Sequence, residues 1–237
     1  MLEAAASSAL SNLDLSKVVL AIGSLGTAAY GVVDTSKAFW GGVSNRGFSD
    51  IRKVVSKFVP APSRADGGAS ALALPSVLTT LRANWLNGMA LPDQKSVAKA
   101  LIKLNLTKDS AKGMADATGV DAGLLAGVAG KLSTGEALTP QETDVFGRFD
   151  LLLAARLDQG YQRGDQRYRN SAKLLAVPIA VGLALCGSWA LDGSAFKGPE
   201  IWKAVVGGLL ATPLAPIAKD LASSIQAGAK LAQSWKK

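Results

Sequence analysis

Asp109, Asp116 and Asp121 come closest to a metal-binding pattern in this sequence. A calcium loop needs oxygen ligands at positions 1, 3, 5 and 12, the last a bidentate glutamate. The spacing here does not place ligands at those positions and the glutamate is missing, so the three read as solvated or capping carboxylates. Histidine is absent altogether, which removes most hydrolytic triads, imidazole acid–base chemistry and His-ligated metals. The one cysteine, Cys186, sits inside an apolar run. It can form no intrachain disulfide, and a thiol in such surroundings stays protonated and serves as a small packing residue. Ser188 has no serine–lysine motif around it. The glycine-rich stretch GSLGTAAYG (23–31) lies in a hydrophobic segment where a phosphate would not enter. Tyr161, Tyr168 and the arginines between them could touch RNA, but a contact with lipid headgroups fits their position better. The chain therefore reads as non-catalytic, with no cofactor, no metal and no nucleic-acid partner expected.

The elements that carry these residues are dominated by three uncharged stretches. The longest, Leu174 to Leu191, holds eighteen residues without a charge and follows a basic segment, Tyr161 to Lys173. As a helix it would reach ~27 Å, close to the ~30 Å hydrocarbon thickness of a bilayer. The first stretch is Val18 to Val33, with Phe39 and Trp40 just beyond it, and the third is Ala204 to Ala218, preceded by Trp202. Aromatics at the ends of such runs suit the headgroup level. The third stretch spans only ~22 Å and contains Pro213 and Pro216, so it reads either as a short tilted span or as a re-entrant arm. Composition agrees: the chain is 49% hydrophobic but only 6% aromatic, with 25 glycines. Small apolar residues used this often suit closely packed membrane helices.

Orientation follows from lysine and arginine in the flanks. Residues 1–16 carry none, whereas Lys37, Arg46, Arg52, Lys53, Lys57 and Arg64 follow the first stretch, and Arg163, Arg167, Arg169 and Lys173 precede the second. Lys219, Lys230, Lys236 and Lys237 follow the third. The net charge of +8 is thus gathered beside the apolar runs and not interleaved with aromatics on one face. A cleaved signal peptide is the competing account of the first stretch, but it would place the cluster at 46–64 outside, against the charge rule.

The expected fold is all-α: an integral membrane protein with about three transmembrane helices and a small helical cytoplasmic domain between the first and second. Its parts are an external segment (1–16), a first transmembrane helix (17–42), an amphipathic interfacial helix (43–60), a linker (61–71) and the helical domain (72–172). A second transmembrane helix (173–192), a short external loop (193–203), a third transmembrane or re-entrant helix (204–219) and a cytoplasmic tail (220–237) complete it.

Residues 46–59, RGFSDIRKVVSKFV, set Phe48, Ile51, Val55 and Phe58 on one arc with Lys53 and Lys57 opposite. That pattern serves either a helix lying on anionic headgroups or an ordinary helix packed on the next domain. Pro75 and Pro92 mark helix starts, Asp121 is a candidate N-cap, and Thr139-Pro-Gln-Glu142 is a capping box. The helical pattern from there runs into the second apolar stretch, interrupted only by Gly160 and Gly164, which invite a kink. Asp34 and Lys37, one turn apart, read as an interfacial ion pair or a snorkelling lysine.

Each apolar stretch also carries small residues at four-residue spacing: Gly23, Thr27 and Gly31; Ala176, Ala180, Ala184 and Ser188; Gly207, Ala211 and Ala215. Such ridges let helix backbones approach closely in lipid. The interface set is Trp40, Phe48, Ile51, Arg52, Lys53, Val55, Lys57, Phe58, Arg163, Arg167, Arg169, Lys173 and Trp202. The leading expectation is a membrane anchor or scaffold that self-associates or joins a larger membrane complex, with anionic headgroups as its lipid partner. A holin-like pore former is the second reading, and a soluble Ala-rich shell or coat protein that touches membrane is the third.

Overall fold

The computed structural model describes residues 15–39, 41–59, 73–192 and 200–234. Residues 1–14, Trp40, 60–72 (the whole of the expected linker, 61–71), most of the loop at 193–203, and 235–237 lie outside that set. Every regular element among the described residues is helical: α1 (Leu15–Thr35) with a 3-10 turn (Ser36–Ala38), α2 (Ser44–Val55), α3 (Leu74–Leu86), α4 (Leu91–Leu104), α5 (Lys108–Thr118), α6 (Ala122–Thr134), α7 (Pro140–Asp192) and α8 (Glu200–Ser234). The contacts divide the chain into two compact units, Val43–Arg169 on one side and Met1–Gly42 with Asn170–Lys237 on the other.

The Val43–Arg169 unit has capped helices around an apolar core. Its helices start where the side chains can satisfy the free backbone N–H groups of a first turn. The Ser110 N–H donates to the Thr107 hydroxyl (3.2 Å) and the Thr107 N–H to the Ser110 hydroxyl (2.8 Å), capping α5 in both directions. At α6 the Leu124 N–H donates to the Asp121 carboxylate at 2.8 Å. At α7 the Thr139 N–H donates to Glu142 at 2.7 Å, and the Glu142 N–H returns a bond to Thr139 at 3.3 Å. Gly119 and Gly135 end α5 and α6 with φ of 77° and 76°, a left-handed turn that a side chain would strain. Between these ends the large apolar residues turn inward: Phe48, Ile51, Leu81, Ile102, Met114, Leu125, Phe149, Leu153 and Leu157 form one core. Leu104, Leu132 and Leu151 stand exposed one at a time, which is ordinary for a folded surface.

α7 is the axis of this core, and two helices cross it antiparallel. Along α4, Lys103 and Lys99 reach Asp150 at 3.1 and 2.6 Å, and Lys95 reaches Asp158 at 2.5 Å. One turn further the buried Tyr161 hydroxyl donates to the Gln94 carbonyl at 3.3 Å. Tyr161 is therefore a core residue, with its ionisation pushed up by burial, and offers no face to lipid or RNA. Along α2, backbone meets backbone. A Cβ at Gly47 would stand 2.6 Å from the Gly164 carbonyl oxygen, one at Gly164 2.8 Å from that of Gly47, and one at Gly160 2.9 Å from Val54. The two glycines expected to kink α7 instead lie within an unbroken helix, as the slots that admit α2.

The other unit contains α1, the part of α7 from Asn170 onward, and α8. Here glycine and alanine hold the contacts. A Cβ at Gly23 would run into Ala218 and stand 3.0 Å from the Leu214 oxygen; one at Gly26 would run into the Ala211 carbonyl and stand 3.0 Å from the Ala215 Cβ. Ascending numbers on α1 meet descending numbers on α8, so these two helices pack antiparallel. Gly208 of α8 meets α7 in the same way: a Cβ there would stand 2.5 Å from the Val181 Cα. α8 continues unbroken through Pro213 and Pro216 and on to Ser234. The third apolar stretch thus lies within one long helix, which also takes in most of the segment expected as a tail.

Candidate functional site

Three helices among the described residues are long and apolar enough to cross a membrane: Ser16–Ala38, a stretch within Pro140–Ala190, and Ile201–Ser224. At 24 residues and ~1.5 Å per residue, the last reaches ~36 Å, so its prolines do not shorten it below a bilayer core. What distinguishes the unit that holds these helices is the order of side-chain size. Its buried positions are mostly glycine and alanine: Gly23, Gly26, Ala29, Gly41, Ala172, Ala176, Ala180, Gly208, Ala211, Ala215 and Ala218, with Val33 and Thr212 beside them. Its exposed positions include Val32, Leu174, Leu209, Leu210 and Ile217, with Leu174 at 71%. The Val43–Arg169 unit shows the reverse order, large residues inside. Water selects the second arrangement, because burying large apolar surface is what drives folding there. Lipid has no such preference and rewards close backbone packing.

The ridge residues are placed unevenly. Ala176, Ala180, Ala211 and Ala215 are buried, and Gly23 lies in the contact between α1 and α8. Thr27 and Gly31 are exposed, Gly31 with nothing within 4 Å of its would-be Cβ, and Thr27 turns its hydroxyl back to the Gly23 carbonyl at 3.1 Å. Ala184, Ser188 and Gly207 are only partly covered. The seam on α1 runs through Gly23, Gly26, Ala29 and Val33, and on α8 through Gly208, Ala211, Ala215 and Ala218. A strict four-residue spacing precesses away from a neighbouring helix, since 3.6 residues make a turn; alternating steps of three and four stay on it. Gly26 was overlooked for that reason, although Gly23-x-x-Gly26 is visible in the sequence.

The interface set divides as well. Phe48, Ile51, Val55 and Phe58 are buried in the core of their own unit, so the apolar arc of α2 is not available to lipid. The packed-helix reading of residues 46–59 is the one observed. Its amphipathic pattern is the same for both readings, and only the partner differs. Trp202 is 69% exposed, and Lys173 is exposed. Arg167 lies 3.1 Å from Asp50 and donates to Ser49 at 3.3 Å, and Arg169 lies 2.7 Å from Asp165. Both are structural pairs. Asp34 and Lys37 form the expected ion pair.

Arg52, Lys53, Lys57 and Arg163 remain exposed. Three of these, with Arg156, line a cleft of about 810 Å3 between α2, α5 and α7. Arg156 escaped notice because it lies outside the basic run that ends at Lys173. Elsewhere in the unit Glu142 joins the last turn of α6 to the first of α7 through Lys131 at 2.7 Å. The Lys131 hydrogen bond, followed by the Thr139 backbone N–H, holds its carboxyl down at about 2. Asp150 is also lowered: burial opposes ionisation, but the bonds from Lys99 and Lys103 outweigh it. No group of three metal-ligating side chains gathers among the described residues. Comparison with known protein families, curated proteins and solved structures finds no match.

Proposed function

We propose that the protein is a non-catalytic integral membrane anchor or scaffold subunit. Three helices hold it in lipid, and its Val43–Arg169 domain, on the cytoplasmic side, is the part that meets other proteins. The reversed side-chain size order carries this reading: α1, α8 and the end of α7 bury mainly glycine and alanine, Val33 apart, and leave Val32, Leu174, Leu209, Leu210 and Ile217 exposed. A soluble shell or coat protein would bury those large side chains. Side choice rests on the basic residues that border the apolar stretches. The seam is nearly free of polar side chains: Thr212 is the one buried polar side chain among the described residues of this unit. That favours an anchor over a water-filled pore, whose lining would be polar.

Carbonate extraction of membranes, followed by blue-native electrophoresis of gently solubilised protein, tests the proposal. Retention in the pellet and migration in a complex are expected. Release by carbonate would remove the membrane assignment; a lone monomer with no co-purifying partner would remove the scaffold. Dye release from liposomes at high protein-to-lipid ratio would restore the pore reading.

A further inference from the structure

In the Val43–Arg169 unit most basic side chains near α7 have a carboxylate partner: Lys95, Lys99, Lys103, Lys131, Arg148, Arg167 and Arg169 are all ion-paired. The cleft between α2, α5 and α7 breaks that rule. Lys53 faces it from α2, Lys57 from the turn that follows α2, and Arg156 and Arg163 from α7, and none of the four has an ion-pair partner among the described residues. Of the two carboxylates at the cleft, Asp50 is occupied by Arg167 at 3.1 Å, and Asp116 on α5 forms no ion pair among the described residues. Like charges gathered on facing helices repel, so the arrangement calls for an anion from outside the chain.

Chemistry and size narrow its identity. Guanidinium forks and ammonium groups together are the usual donors to phosphate oxygens. A volume of about 810 Å3 exceeds what a bare phosphate fills and lies in the range of small-molecule sites. Val54, Phe58 and Ala117 give part of the wall an apolar surface for a carbon skeleton attached to the phosphate. Lys53 and Lys57 follow the first apolar stretch, and Arg163 precedes the second by ten residues. Basic clusters so placed meet the anionic leaflet.

We infer that this cleft binds a phosphate ester of net negative charge, the group carried by anionic phospholipid headgroups and by soluble phosphate esters alike, and not the charge-neutral phosphocholine ester. The inference rests on the membrane reading only for the lipid as source; the cleft and its unpaired cations stand without it. The test uses the full chain in a zwitterionic detergent at physiological salt, with binding followed by native mass spectrometry. Its probes are a short-chain phosphatidylglycerol, the matching phosphatidylcholine, and inorganic phosphate as competitor.

Saturable binding of phosphatidylglycerol is expected, with phosphatidylcholine far weaker. Each cation near such a headgroup is worth about a fivefold change in affinity. Lys53→Gln with Lys57→Gln, and separately Arg156→Gln with Arg163→Gln, should each therefore weaken binding by roughly 25-fold. The pair Lys108→Gln and Lys112→Gln, exposed and outside the cleft, should change it less than twofold. Competition by inorganic phosphate would assign recognition to the phosphate alone and make a soluble ester the source; lack of competition would assign the lipid. Equal losses in the cleft and control pairs, an effect from only one of the two cleft pairs, or equal binding of phosphatidylcholine would each overturn the proposal. Release of the protein by carbonate sinks the membrane reading instead, and leaves the phosphate titration to be judged alone.

Discussion

Replacing Gly26 by alanine adds one methyl group where α1 and α8 already touch. The new Cβ would stand 2.6 Å from the Ala211 carbonyl carbon and closer still to its oxygen, and backbone cannot swing aside as a flexible side chain does. Relief requires the helices to part by about 1 Å, a gap that forfeits up to half of each van der Waals well along the seam. Overpacking of this kind costs about 1–3 kcal/mol, against a gain of roughly 0.5–1 kcal/mol from replacing glycine inside a helix. A net loss between about 0 and 2.5 kcal/mol follows, up to several degrees in melting midpoint for a chain of this size. Gly31, five residues on in the same helix, is the control, since its would-be Cβ meets nothing within 4 Å. Gly31→Ala should leave the midpoint unchanged or raise it. Thermal inactivation in mild detergent, read as the monodisperse peak in fluorescence-detected size-exclusion chromatography, gives both values. A rise for Gly26→Ala equal to that for Gly31→Ala would refute the close α1–α8 contact.

Other expectations concern the Val43–Arg169 unit. Because Glu142 is lowered from about 4.5 to about 2, its ionised form stabilises the fold fully above pH 4.5, and that contribution fades as pH falls toward 2. Melting curves of the native chain and Glu142→Gln should differ at pH 7 and converge as pH falls below 4.5. Asp150→Asn removes the partner of both Lys99 and Lys103 and should cost about 1 kcal/mol, less at high salt, by denaturant titration at two ionic strengths. Ile102→Ala empties a fully buried site and should cost about 2–5 kcal/mol by the same titration. Residues 43–169 expressed alone should stay soluble and helical by circular dichroism; aggregation without detergent would count against a water-built core.

Local chemistry was legible in the sequence. The caps at Asp121 and Thr139 depend on side chains three residues from the groups they satisfy, so spacing alone announces them. The apolar stretches were legible too, since length and absence of charge need no partner. Partners were not. The arc of Phe48, Ile51, Val55 and Phe58 is equally suited to lipid and to Leu81 or Phe149, and periodicity does not distinguish them. In the Ala-rich helices several faces are small enough to pack, so only the neighbouring backbone reveals that Gly26 is inside and Thr27 outside. The cleft joins residues about a hundred positions apart, Lys53 with Arg156, beyond the reach of any local pattern.

The antiparallel joining of α1 to α8 has a consequence for biosynthesis. Gly26 and Ala211 are separated by 185 residues of chain. At ~5–20 residues per second, a ribosome needs roughly 10–40 s to supply the second after the first. Throughout that interval the glycine face of α1 is made but unmatched, and the C-terminal helix of an earlier, neighbouring nascent chain carries the surface that fits it. Crowded translation on one messenger thus sets an intramolecular closure in competition with exchange between sister chains.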